Sequence, residues 1–147
     1  MRIWVIVGMA AMVTALPPIS CAGGAVPDLT GTWTGDFSIV RNAYSKKAGP
    51  NPLAFTKPGF HEARGVKYVI DAQKGRVFSG TESFADSEQK FVGVIQHDDK
   101  SFYIADKTGF LFGKVISADK MHLIYLETTE HGQAAAGGTI TRQRRKR

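Results

Sequence analysis

Two kinds of hydrophobic pattern divide this chain. From Ile3 to Leu16 the residues are apolar or small and carry no charge, and Pro17 and Pro18 then end the run. From Gly31 onward no stretch keeps the i, i+3, i+4 apolar spacing of an amphipathic helix over ten residues. Short runs of β-branched and aromatic residues recur instead, separated by turn residues, which is the signature of strands joined by hairpins. The first run, Gly31 to Val40, sets Trp33, Phe37 and Ile39 on one face and Thr32, Thr34, Asp36 and Ser38 on the other. Further strands are predicted over Gly65–Asp71, Arg76–Phe84, Lys90–His97, Ser101–Ala105, Phe110–Ser117, Met121–Thr128 and Ala134–Gln143.

The links between most of these runs are short and rich in Asp, Lys and Gly: Gln73-Lys74-Gly75, Asp98-Asp99-Lys100, Asp106-Lys107-Thr108-Gly109, Ala118-Asp119-Lys120 and Glu130-His131-Gly132-Gln133. Short hairpin links favour an up-and-down order over a Greek key. Eight such strands close most naturally into a barrel, because closure removes the exposed sheet edges. The expected fold is therefore all-β, an eight-stranded antiparallel up-and-down β-barrel. One segment stands apart. Residues 41–63 hold Gly49, Pro50, Pro52, Pro58 and Gly59 among polar residues and read as a single long loop, either a lid or a solvent-exposed insertion.

The leading apolar run changes the expected compartment. A basic start (Met1, Arg2), an apolar core and a small-residue exit through Ser20-Cys21-Ala22 are the marks of a secretory signal peptide. Its apolar part is too short to span a bilayer, which needs about 20 residues. The chain is thus divided into a signal peptide (1–21), an N-terminal linker (22–30), a barrel domain (31–143) and a basic tail (144–147). Ser20-Cys21 resembles the end of a bacterial lipobox, although Pro18 stands where that motif usually carries leucine. Cys21 is the only cysteine, so it cannot form an intramolecular disulfide. It is the candidate lipidation site of a periplasmic lipoprotein. Cleavage after Ala22 or Ala25 would instead release a free periplasmic protein.

Charge narrows the partners. The net charge is +6, yet from Ala22 to Thr141 the chain carries 13 basic and 13 acidic residues. The excess lies in Arg2 and in the stretch from Arg142 to Arg147. A neutral body with a basic tail is not a nucleic-acid platform. Contact with a membrane is expected only through a lipid on Cys21 or through the tail.

Gly31-Thr32-Trp33 resembles the Gly-x-Trp signature of the calycin barrels, the group of lipocalins, fatty-acid-binding proteins and avidins. That resemblance implies that Trp33 plugs one barrel end and that Arg142, near the end of the last strand, packs across its ring. Gly31, Trp33 and Arg142 are accordingly the expected closure residues. It does not imply biotin binding, because the several tryptophans of an avidin pocket are missing.

Candidate chemistry is sparse. Glu82 shares parity with Phe78, Gly80 and Phe84, so it could point inward as a ligand anchor or base. The opposite choice, with Val77, Ser79, Thr81 and Ser83 inward and Glu82 in solvent, is the favoured one. Tyr68, Gln96, Tyr103, Tyr125 and Glu127 are read as mid-strand, with polar tips that could line a cavity. His97-Asp98-Asp99 holds metal-ligand types, but neighbouring strand residues face opposite ways and aspartates favour turns. His61, His122 and His131 have no metal-ligand spacing and are read as loop or surface residues. No metal, cofactor or catalytic arrangement is therefore expected. Runs such as Phe91-Val92-Gly93-Val94-Ile95 and Leu123-Ile124-Tyr125-Leu126 look apolar on both faces, which points to a homo-oligomer. The leading functional expectation is an exported, non-enzymatic barrel that binds a small apolar or amphipathic ligand. Its rivals are a periplasmic protein-binding module, such as a protease inhibitor or envelope-assembly factor, and an enzyme using Glu82 or Glu127 as a base.

Overall fold

A computed structural model describes residues 25–42, 58–85, 87–129 and 132–143. The segment expected to be a signal peptide (with Cys21), the basic tail, His131 and most of the 41–63 segment lie outside the described residues. Eight antiparallel strands close into one barrel in sequence order. They are β1 (Gly31–Arg41), β2 (Gly59–Lys74), β3 (Val77–Phe84), β4 (Ser87–Ile95), β5 (Ser101–Ala105), β6 (Phe110–Ser117), β7 (Lys120–Thr129) and β8 (Gly132–Arg142). β1 pairs with β2 on one side and with β8 on the other, from Trp33 opposite Arg142 to Arg41 opposite Ala134. That last pairing closes the barrel.

β2 corrects the long-loop expectation. Arg41 belongs to β1, and Gly59–Ala63 belongs to β2, where they extend the pairing from Arg41↔Gly59 to Phe37↔Ala63. The break in alternation that hides this extension is a bulge: Arg64 and Gly65 together oppose Asp36. Gly65 takes a φ of +69°, which a side chain would resist, and its N–H donates to Asp36 Oδ1 at 2.8 Å.

The interior is filled by rings lying across glycines. Four cross-strand pairs set a phenylalanine directly opposite a glycine: Phe37↔Gly138, Phe78↔Gly93, Phe91↔Gly80 and Phe102↔Gly113. A Cβ placed on Gly93 would stand 2.2 Å from the Phe78 ring, and one on Gly113 would stand 2.0 Å from the Phe102 ring. The missing side chains are therefore the space the rings occupy. Phe37, Tyr68, Phe91, Phe78 and Phe102 follow one another through the barrel with centroids 5.9–6.4 Å apart, all tilted or edge-on. A hollow wide enough for a ligand would leave accessible surface on its lining. Tyr68, Phe78, Phe91, Leu123 and Tyr125 each keep 4 % or less. The described strands enclose a packed core.

One end is sealed as the calycin-like pattern implies. Trp33 is fully buried, and the Arg142 guanidinium carbon lies 4.5 Å from its ring centroid. Where a linker is expected, residues 25–30 cap this end. Leu29 is buried, its N–H donates to Gln73 Oε1 at 2.8 Å, and its carbonyl accepts from Trp33 Nε1 at 2.9 Å. Gln73 Nε2 donates to Pro27 O at 2.8 Å, and Arg142 donates to the Asp28 carbonyl.

Candidate functional site

The end opposite Trp33 collects the buried polar side chains. Glu82 on β3 points inward and is 3 % exposed, which overturns the favoured solvent-facing reading. The reason is the glycine at position 80. Inward parity places Gly80 under the Phe91 ring and Glu82 beyond it, while Val77, Ser79, Thr81 and Ser83 face outward. Glu82 Oε2 accepts from Gln89 Nε2 at 3.5 Å, and the Tyr68 hydroxyl hydrogen-bonds the same carboxyl from β2.

Two residues of β7 complete the group. Tyr125 donates to Glu127 Oε2 at 3.4 Å and lies 2.9 Å from Thr108 Oγ1. Glu127 Oε1 stands 3.7 Å from Arg41 Nη2, with both side chains nearly buried. Thr108 is held by an Asp106 turn, whose Oδ1 accepts from the N–H groups of Thr108 and Gly109 at 2.7 and 2.8 Å.

Burial governs the protonation of this group. It lifts the Glu82 carboxyl to about 7, helped by the charge of Asp106 and opposed by hydrogen bonds from Tyr68 and Gln89. Burial also pushes the Tyr68 phenol well up, reinforced by Glu82, and pushes Tyr125 up against the hydrogen bond from Thr108. Both tyrosines are therefore neutral donors at neutral pH, and Glu82 is poised between its two forms. A carboxyl titrating near 7 has the proton affinity of a general base. The side-chain hydrogen-bond partners of Glu82 are Tyr68 and Gln89. Tyr68, Glu82 and Gln89 tie β2, β3 and β4 together, and Tyr125 and Glu127 tie β7 to the Thr108 turn and to Arg41 on β1.

The remaining candidates fall elsewhere. Gln96 is not mid-strand: it follows the last residue of β4. Its N–H donates to Ser101 O at 2.7 Å, and its carbonyl accepts from the Arg76 guanidinium. Tyr103 points outward, 41 % exposed, with its ring edge-on to Phe112 at 5.0 Å. Its strand alternates Phe102 and Ile104 against Ser101, Tyr103 and Ala105, and only pairing with β4 and β6 decides which set faces in. Asp98 is engaged by its turn, accepting from Lys100 N, Ser101 N and Ser101 Oγ, and the Ser101 bonds hold its carboxyl down at about 2. Asp99 pairs with Arg76 at 2.7 Å. His61 and His122 lie on β2 and β7, His61 half-buried and His122 exposed at the surface, and His122 Nδ1 is 2.8 Å from Thr139 Oγ1. Sequence reasoning misses Arg41, Gln89, Asp106 and Thr108 as members of the cluster. Arg41 is hidden in the expected loop, and only Asp106-x-Thr108 carries a signal, as a turn.

The outer wall carries the other unusual feature. Cross-strand registers align two rows of outward side chains. One runs Val77, Val94, Tyr103, Phe112, Ile124, and the other Ser79, Val92, Ala105, Phe110, Leu126. The large members are 41–65 % exposed. Past β7 the rows continue into Gly137, Ser38 and Glu62 and into Ala135, Val40 and Phe60, so the apolar surface breaks up. Two rows set about 7 Å apart are far short of the roughly 25 Å band of a membrane barrel. Between β3 and β6 the wall dips into a groove of about 700 Å³ lined by Val77, Val92, Val94, Tyr103 and Phe110 over Gly93 and Ala105.

No protein-family model matches this chain, and no curated protein matches it. Among solved structures it is similar to a redesigned β-barrel, 12 % identical, with a TM-score of 0.43 over 79 % of this chain and 92 % of that one.

Proposed function

We propose that this chain is an exported, non-enzymatic interaction module, a filled β-barrel that works through its outer wall. The observation that carries this reading is the contrast between the two faces of β4–β7. Inside, rings and glycines close the space a ligand would need. Outside, the aromatic and branched residues that normally fill a barrel stand in solvent. A small apolar ligand inside the barrel, the leading expectation from sequence, would require the Phe–Gly pairs to come apart. The protein-binding reading requires only that the wall be covered. The ordered cap at residues 25–30, tied to Gln73 and Arg142, fits a rigid scaffold more than an opening container.

Chemical-shift mapping on the protein isolated from the cells that make it tests this. Adding its native partner fraction should shift the amides of Val92, Val94, Phe110 and Phe112. Shifts confined to Tyr68, Phe91 and Glu82 on adding small apolar molecules would show an interior site and overturn the proposal.

A further inference from the structure

The outer wall sets an apolar groove beside exposed apolar pairs, and from this we infer that its partner is a second copy of the chain, docked through β3–β7 about a two-fold axis. This rests on the outer-wall reading above and names its occupant. The wall has two halves. On β3–β5 it dips into the groove, with the small Ala105 on its floor. On β6–β7 the exposed pairs Phe112–Ile124 and Phe110–Leu126 stand side by side, with Phe110 at the edge of the groove. The Tyr103–Phe112 ring pair marks the boundary. A two-fold axis at that boundary lays the β6–β7 pairs of each copy against the groove of the other, the isologous geometry in which one patch supplies both surfaces.

The area fits. The exposed parts of the eight large wall side chains amount to on the order of 700 Å² of apolar surface, beyond the usual patch on a monomer and close to the ~800 Å² per partner of a standard interface. The location fits as well. β5 is the shortest strand, with four residues paired to β4 and five to β6. The strand with the fewest pairings thus lies under the boundary, where a second barrel would brace it. The other side of the barrel lacks this continuity, because Ser38, Glu62 and Gly137 interrupt it.

Sedimentation equilibrium of the isolated protein tests the inference with two substitutions that leave the core untouched. Ile124→Lys puts a charge among the exposed β6–β7 pairs, and Ala105→Phe fills the groove. Each should weaken dimerisation by more than about a hundredfold while the strand circular dichroism is unchanged. Phe60→Ser, at the most exposed hydrophobic on the opposite side (89 %), should leave the dimer intact. A wild-type protein that stays monomeric to about 100 μM overturns the dimer. So does a dimer broken by Phe60→Ser and insensitive to the other two. In either case, shifts at Val92 and Phe112 with a different protein would still uphold the outer-wall reading, and their absence would end that too.

Discussion

Replacing Glu82 with glutamine should make the protein more stable in mild alkali and cancel part of its pH dependence. Glu82 is 3 % exposed, and its carboxyl is raised from the ordinary 4.5 to about 7, chiefly by burial. A carboxyl whose pKa is higher when folded binds its proton more tightly in the folded state. Its contribution is therefore fully present below about pH 4.5 and is lost as pH rises through 7. The shift corresponds to about 3 kcal/mol, at 1.36 kcal/mol per unit. Glutamine keeps the shape, the bond from Tyr68 and a partner for Gln89, and it has no charge to bury. Urea unfolding of wild type and Glu82→Gln at pH 5 and pH 8.5 measures this. The variant should gain about 2–3 kcal/mol over wild type at pH 8.5 relative to the difference at pH 5, a midpoint shift of about 1–2 M. Parallel pH profiles for the two proteins, or a variant weaker at pH 8.5, would refute the burial argument.

The other expectations concern the core and its two ends. Gly113→Ala should cost about 1–3 kcal/mol, since the new methyl meets a buried Phe102 ring that has nowhere to turn; thermal unfolding would show it. Arg142→Ala should cost about 1–2 kcal/mol through the lost cation–π contact and the bond to Asp28, and it should red-shift Trp33 fluorescence as the cap loosens. Arg41→Gln should destabilise by about 3 kcal/mol or more by removing the cation beside the buried Glu127 carboxylate, whereas the Arg41→Gln/Glu127→Gln double variant should recover part of that loss in a denaturant double-mutant cycle.

Much of the fold is legible in the chain, for physical reasons. Strand spans and their up-and-down order follow from alternating runs and Asp-, Lys- and Gly-rich turns, which are local signals. Trp33 and Arg142 can be matched because a residue pattern at the two chain ends points to one closed end. The facing of Glu82 and Tyr103 is not legible. Their strands are apolar or small on both sides, so parity is set by which ring lies over which glycine on a neighbouring strand. The start of β2 is hidden by Pro58 and by the bulge at Gly65, which shifts alternation in mid-strand. The outer wall is half legible. Two-sided apolar runs announce it, but its groove needs Val92, Ala105 and Phe110 to be brought into register from three strands.

The central claim is that the barrel is full and its outer wall is the covered surface. Methyl relaxation by a soluble paramagnetic chelate, read at low and high protein concentration, tests it most directly. Leu123 and Ile140 should be protected at both concentrations, Val40 and Ile116 exposed at both, and Val92, Val94, Ile124 and Leu126 exposed when dilute and protected when concentrated. Wall methyls as accessible as Val40 throughout, or interior methyls reached by the chelate, would contradict it.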